Sequence, residues 1–280
     1  MTWKIIADSG CDYREMSNLA DDTIFSSVPL TIQVEQEVFV DDKDLDIDHM
    51  MNKMYATSTP SKSACPSPDD YIKTFEGADN IFVVTITGTL SGSHNSAQVA
   101  KKIYQEEHPT VNIHVIDSLS AGGENDLIVS KLNDLIRQKL DFETIIEEIT
   151  QYQKQTKLLF VLAKVDNLVK NGRLSKMLGA VVGLLNIRMI GEASKAGTLE
   201  LLQKARGAKK SLTTAVDELL KAGYKGGQIV IAHRNNEQFC QQFSTLIKEK
   251  FPQASIKELP TSGLCSFYAE EGGILMGYEI

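Results

Sequence analysis

The sequence predicts an α/β fold in two domains, and three observations carry that prediction. In the first half, short apolar runs rich in β-branched residues alternate with helical patterns, the rhythm of βαβ units and a parallel sheet. Past residue 156 the strand-like runs follow one another with only some helices between them, as in an α+β domain with a mixed or antiparallel sheet. The composition, 42% apolar and 24% charged over 280 residues, is that of an ordinary globular chain long enough for two domains. A boundary near residue 156 gives a Rossmann-like domain over 1–156 and a second over 157–280.

WKIIA (3–7) opens the first domain as a buried strand. PLTIQVEQEVFVDD (29–42) alternates apolar and polar residues, which gives one or two half-exposed strands. Ser67 stands before Pro68 and an acidic first turn, a well-signalled helix start. IFVVTIT (81–87) and VNIHVID (111–117) are two more buried strands, each followed by a polar, glycine-containing segment and a helical stretch. DFETIIEEITQYQKQT (141–156) reads as an exposed helix. In the second domain KLLFVLA, NIRMIGEA, TLELLQKAR, GQIVIAH, SIKELP and GILMGYEI are the strands. MLGAVVGLL (177–185), with Gly179, Ala180 and Gly183, is either a close-packed buried helix or the wall of a cavity.

Several function classes are excluded early. A net charge of −8 without a basic cluster argues against nucleic acid as the main partner. Cys11, Cys65, Cys240 and Cys265 are far apart and form no metal-spaced pair, so neither a disulfide framework nor a metal site is expected. No signal peptide opens the chain and no apolar run is long enough to span a bilayer. A cytoplasmic protein is the expectation.

In open parallel sheets, ligands bind beyond the carboxyl ends of the strands. ADSGCD (7–12), TGTLSGSHNSA (87–97) and IDSLSAGG (116–123) stand at such ends. Ser91 with the amides of Gly92 and Ser93 offers neutral donors to an anion at a helix start, or else Ser91 is a plain N-cap. Ser91 and His94 share a helix face, but a hydrolase needs an orienting acid and an oxyanion hole, and no G-x-S-x-G elbow is present. Asp8, Asp12, Asp41, Asp42 and Asp117 read as turn and helix caps rather than metal ligands.

The order of the short motifs is more specific than any of them alone. IIADSGCD, VPL (28–30), KSACPSP (62–68), LSGSHNSA (90–97), the DS at 117–118, NGRLS (171–175) and LLNIRMI (184–190) run in sequence along the chain. This series resembles the DegV family of bacterial lipid-binding proteins over nearly the whole chain. The resemblance implies two domains with one fatty acid between them, its carboxylate presented to a partner kinase that makes the acyl phosphate from ATP. It implies no catalytic residue and no cofactor in this chain, and brief contact with a membrane for lipid exchange. Ser63 matches the family's carboxylate-binding threonine and Ser91 its LSG serine, with the Gly92 amide beside it. Ala64, His94 and Asn95 fall at the expected pocket rim, and Arg173 and Arg206 match basic positions suited to docking the kinase or meeting its phosphate.

The sequence departs from the family at two places. Ser63-Ala64 replaces a Thr-Ser pair, and YAEEG (268–272) stands where the family has HTGPG. Tyr268 can still donate a hydrogen bond but has no cationic form at neutral pH. Glu270 and Glu271 replace small or rigid residues and would repel a carboxylate if they turned inward. A passive lipid carrier or sensor without a kinase therefore stays open as an alternative. A small-molecule hydrolase or transferase built on residues 87–97 is the third reading.

Overall fold

The computed structural model describes residues 1–175 and 186–280. The apolar run at 177–185 lies outside the described residues.

Four parallel strands form the first sheet: β1 (Trp3–Asp8), β2 (Thr23–Val28), β6 (Asn80–Thr85) and β7 (Asn112–Asp117), in the order β2-β1-β6-β7. The strand alternation sends neighbouring residues to opposite faces. Ile6 and Val83 pack with Tyr71 and Phe75 under α2 (Pro68–Phe75) and α3 (Ser93–Glu107). Ile5 and Phe82 pack with Leu127 and Ile149 under α4 (Gly123–Arg137) and α5 (Phe142–Gln153). The start of α2 is a full capping box between Ser67 and Asp70, as the sequence signals. The stretch expected as an exposed helix is α5, and it is exposed on one face only. Ile145, Ile149 and Tyr152 are buried, because their spacing of three and four puts them on one stripe.

The run at 29–42 does fold as two strands, β3 (Thr31–Val34) and β4 (Glu37–Val40), with Glu35 turning the chain at φ 56°. A strand without a clear sequence signal, β5 (Lys62–Ala64), pairs with β3 to complete a small antiparallel sheet. The helix α1 (Ile47–Ala56) covers it with Met50, Met51 and Met54.

The third sheet runs β10-β9-β8-β13-β11-β12 and takes its strands from residue 156 onward. They are β8 (Thr156–Leu162), β9 (Ile187–Ala193), β10 (Leu199–Arg206), β11 (Gln228–His233), β12 (Ser255–Pro260) and β13 (Ile274–Glu279). All neighbours are antiparallel except β11 and β12, so the sheet is mixed. One face is covered by α7 (Ala208–Lys221) and α8 (Glu237–Lys250), around Leu159, Val161, Phe243 and Ile274. The other face meets α4, which is thereby shared by the two large sheets. A side chain at Gly123 would lie 2.3 Å from the Val230 carbonyl, and one at Gly277 would lie 2.3 Å from the Gly123 carbonyl. Two glycines are thus needed for the helix start to touch the sheet backbone. Two short helices, α6 (Asp166–Lys170) and α9 (Gly263–Ala269), close the remaining side. No helix among the described residues is long and apolar enough to cross a membrane.

Candidate functional site

The loops leaving the parallel strands are fixed by carboxylates, each spent on backbone donors. Asp8 accepts from the amides of Gly10 at 2.8 Å and Ile86 at 3.0 Å, and from the Ser93 hydroxyl. Asp117 accepts from Gly88 and Leu119. Asp12 accepts from the amide and hydroxyl of Ser262, and Asp41 from the amides of Gly263 and Leu264 at 2.8 and 2.7 Å. Asp41 also pairs with Arg14 at 2.8 Å. It supplies the cap that α9 lacks, since the Ser262 side chain makes no cap bond. Asp42 stays at the surface and tightens its own turn through the Asp44 amide. These aspartates therefore act as caps and clamps.

The clamps bring the third sheet, α6 and α9 against β5 and the β6 and β7 loops, and a cavity of about 300 Å³ lies between them. Its apolar wall is explained by the continuous run KLLFVLA. In β8, Leu159 and Val161 face the α7–α8 core, whereas Leu158, Phe160 and Leu162 face the other way and line the cavity. A strand buried on both faces shows no polar alternation. Leu30, Ile86, Leu90, Ala121, Leu168, Leu199, Leu264 and Leu275 continue the wall.

Polar groups gather where β5, α9 and the β6 loop meet. Ser63, Ser91, Gly92 and Tyr268 all line the cavity, and so does Ala64. Ser63 and Tyr268, 205 residues apart, share a hydrogen bond of 2.7 Å. Burial raises the Tyr268 phenol above its ordinary value, against the pull of the Ser63 bond and the Arg173 charge. The phenol is therefore neutral and can donate at physiological pH. Gly92 precedes α3 without any side-chain cap, leaving the helix start open to the cavity. The Ser93 amide, considered above as an anion donor, instead donates to the Ser91 hydroxyl at 3.3 Å.

Arg173 lines the cavity as well. Its Nε donates to the Leu90 carbonyl at 3.2 Å and its Nη1 to the Asn171 carbonyl. Those bonds hold a permanent cation beside Tyr268, the charge that a tyrosine alone cannot supply. Arg206 is exposed at the end of β10 and does not line the cavity. His94 sits behind the rim. Its Nδ1 meets the Thr85 hydroxyl at 3.3 Å and its Nε2 meets Gln98 at 3.3 Å, so its ring is not directed at Ser91. Asn95 is exposed, and neither residue lines the cavity. Both acidic residues of YAEEG turn away from it. Glu270 accepts from the Asn167 amide at 3.2 Å, and Glu271 lies 3.8 Å from Arg234.

A neutral-donor cluster with one cation, at one part of an otherwise apolar cavity, suits an amphiphile with a single anionic end. Comparisons with known proteins agree in kind. A family model described as "Uncharacterised protein, DegV family" matches residues 2–279. A DegV domain-containing protein of Streptococcus gordonii is 75% identical over 280 residues, covering all of both chains. The crystal structure of the Streptococcus pneumoniae fatty acid kinase (Fak) B3 protein loaded with linoleic acid is 74% identical, with full coverage of both chains and a TM-score of 0.99. A DegV family protein from Eubacterium eligens loaded with heptadecanoic acid is 39% identical over 99% of each chain, with a TM-score of 0.96.

Proposed function

This chain belongs to the DegV family, and on that premise we propose that it binds one long-chain fatty acid in the cavity and presents the carboxylate to a partner kinase. The observation that carries the proposal is the joining of Ser63, Tyr268, Ser91 and Arg173 at one part of a cavity walled by leucines. Affinity comes from the tail. Sixteen carbons contain about 14 methylenes, and at about 0.8 kcal/mol each their burial offers roughly 11 kcal/mol before costs. The head group then needs only enough donors to repay its desolvation. Hydroxyls, an open helix start and one guanidinium supply them.

The chain's part in acyl-phosphate formation is to hold and orient; the phosphoryl transfer belongs to the kinase. Arg206, exposed and outside the cavity, suits contact with that partner. Lipid extraction from the purified protein, followed by mass spectrometry, tests the first half of the proposal. One fatty acid per chain is expected, and a chain that neither carries nor takes up fatty acid would overturn it. With ATP and the kinase added, acyl phosphate should form, and Arg206→Glu should slow its formation without changing fatty-acid affinity. Fatty acid bound but never phosphorylated by any kinase of the same organism would leave the carrier reading in its place.

A further inference from the structure

Glu270 combines two features that are costly on their own. Its backbone lies at φ 54°, ψ −176°, a region that is essentially reserved for glycine. Its side chain is 2% exposed in the described structure. The HTGPG pattern has glycine at this position, so an acidic residue there is paid for twice, once in backbone strain and once in desolvation. Something must offset both.

The offset lies at the neighbouring helix α6. The helix α6 begins at Val165 with no side-chain cap of its own. Glu270, from a segment 103 residues away, accepts the Asn167 amide at 3.2 Å. Asn167 also donates through Nδ2 to the Phe267 carbonyl at 2.8 Å, and Asn171 donates to the Ser61 carbonyl at 3.1 Å. The α6 arm carries Leu168 and leads into Arg173, and both line the cavity. Tyr268 and Ala269, immediately before Glu270, line it as well.

We propose that Glu270 is a positioning residue: its carboxylate caps the start of the α6 arm and so holds Arg173 and Leu168 against the bound molecule. The inference rests on the fatty-acid reading above and adds a residue to it that does not touch the ligand. Without the cap, the first turn of α6 loses its acceptor and the arm is held by the side-chain bonds of Asn167, Asn171 and Arg173, so it moves more freely over the cavity.

Glu270→Gly and Glu270→Gln separate this role from a merely structural one. Glycine takes the backbone conformation freely but removes the cap, whereas glutamine keeps an oxygen acceptor in the same place. The measurements are the dissociation rate of palmitate from the purified protein, the melting temperature, and hydrogen exchange at the Asn167 amide. In Glu270→Gly the Asn167 amide should exchange faster and palmitate should leave about fivefold faster, the equivalent of one helix-cap bond. Its melting temperature should be unchanged or higher, since the strain is gone. Glu270→Gln should release palmitate within about twofold of the wild-type rate, a difference smaller than one weak hydrogen bond. The proposal is overturned if Glu270→Gly releases palmitate at the wild-type rate, or if both variants lose melting temperature and palmitate equally. Wild-type protein that holds no palmitate would overturn the fatty-acid reading instead. The exchange rate at Asn167 would still report whether Glu270 caps the arm.

Discussion

Replacing Tyr268 with phenylalanine isolates one hydroxyl in the candidate head-group site. The ring stays, with its packing against Phe267 at 4.8 Å between centroids; only the donor goes. A hydrogen bond to a charged group is worth about 1.5–3 kcal/mol. The Tyr268 hydroxyl, however, already pairs with Ser63 at 2.7 Å. Binding a carboxylate exchanges one partner for a better one, so the loss belongs at the lower end, about 1.5 kcal/mol or roughly tenfold in affinity. That is small beside the gross burial of the tail, so Tyr268→Phe should still bind. Removing two methylenes from the ligand should cost about as much, roughly 1.6 kcal/mol. Displacement of a fluorescent fatty acid by palmitate and by myristate measures both numbers on one scale. Because Ser63 and Tyr268 are bonded to each other, Ser63→Ala and Tyr268→Phe should combine to less than the sum of their separate costs. A Tyr268→Phe variant within twofold of wild type would refute the claim that this hydroxyl meets the head group.

Two further expectations concern the clamps. Asp41 is fully buried, pairs with Arg14 and caps α9 through two amides. Asp41→Ala should therefore lower the unfolding free energy by about 3–5 kcal/mol, the usual cost of orphaning a buried pair; a loss under 1 kcal/mol in urea titration would show that α9 does not depend on it. Burial also raises three carboxyls, Asp8 to about 6 and the neighbouring pair Asp12 and Asp126 likewise upward, with the Asp12 charge pushing Asp126 further. A carboxyl raised in the folded state holds protons that the unfolded chain has released, so its contribution is complete below about pH 4 and is lost as pH rises through the folded values. Stability should decline from mildly acidic to mildly alkaline pH. Asp126→Asn, which keeps an acceptor for the Asp12 amide and the Cys11 thiol, should flatten that decline, as melting temperatures across pH 5–9 would show.

The sequence was most readable where one signal decided the structure. IFVVTIT and VNIHVID have no competing pattern and form β6 and β7, and Ser67-Pro68 starts α2 where its caps require. Neither β5 nor α9 carried such a signal. The first is three residues long and owes its form to pairing with β3; the second is capped by Asp41, 222 residues away. Both contribute candidate head-group residues, Ser63 and Tyr268, so those two are found through their resemblance to family motifs and not through local pattern. Arg173 was visible, but its direction was set by the carbonyls of Leu90 and Asn171, which no spacing rule reveals. Glu270 and Glu271 looked like an obstacle to an anion until tertiary partners took both.

The loss of the histidine in the HTGPG pattern then has a definite chemical consequence. A histidine beside a bound carboxylate would change charge near neutral pH, because its ordinary value is about 6.5. In this chain the polar part of the cavity contains Ser63, Ser91, a tyrosine whose phenol is raised by burial, and an arginine. An arginine keeps its charge throughout the physiological range. The Cys65 thiol lines the cavity too, so the groups facing the ligand hold one protonation state from about pH 6 to pH 8, below the range where a thiol ordinarily ionises, and a fatty-acid carboxylate is ionised over the same interval. Palmitate affinity should vary by less than about threefold across that range once the fraction of folded protein is taken into account, a limit below one kcal/mol. Tyr268→His should introduce the missing dependence, with tighter binding on the acidic side where the imidazole is charged. A tenfold change in wild-type affinity between pH 6 and pH 8, measured by displacement on fully folded protein, would mean that a titrating group reaches the head group and that this assignment of the donors is incomplete.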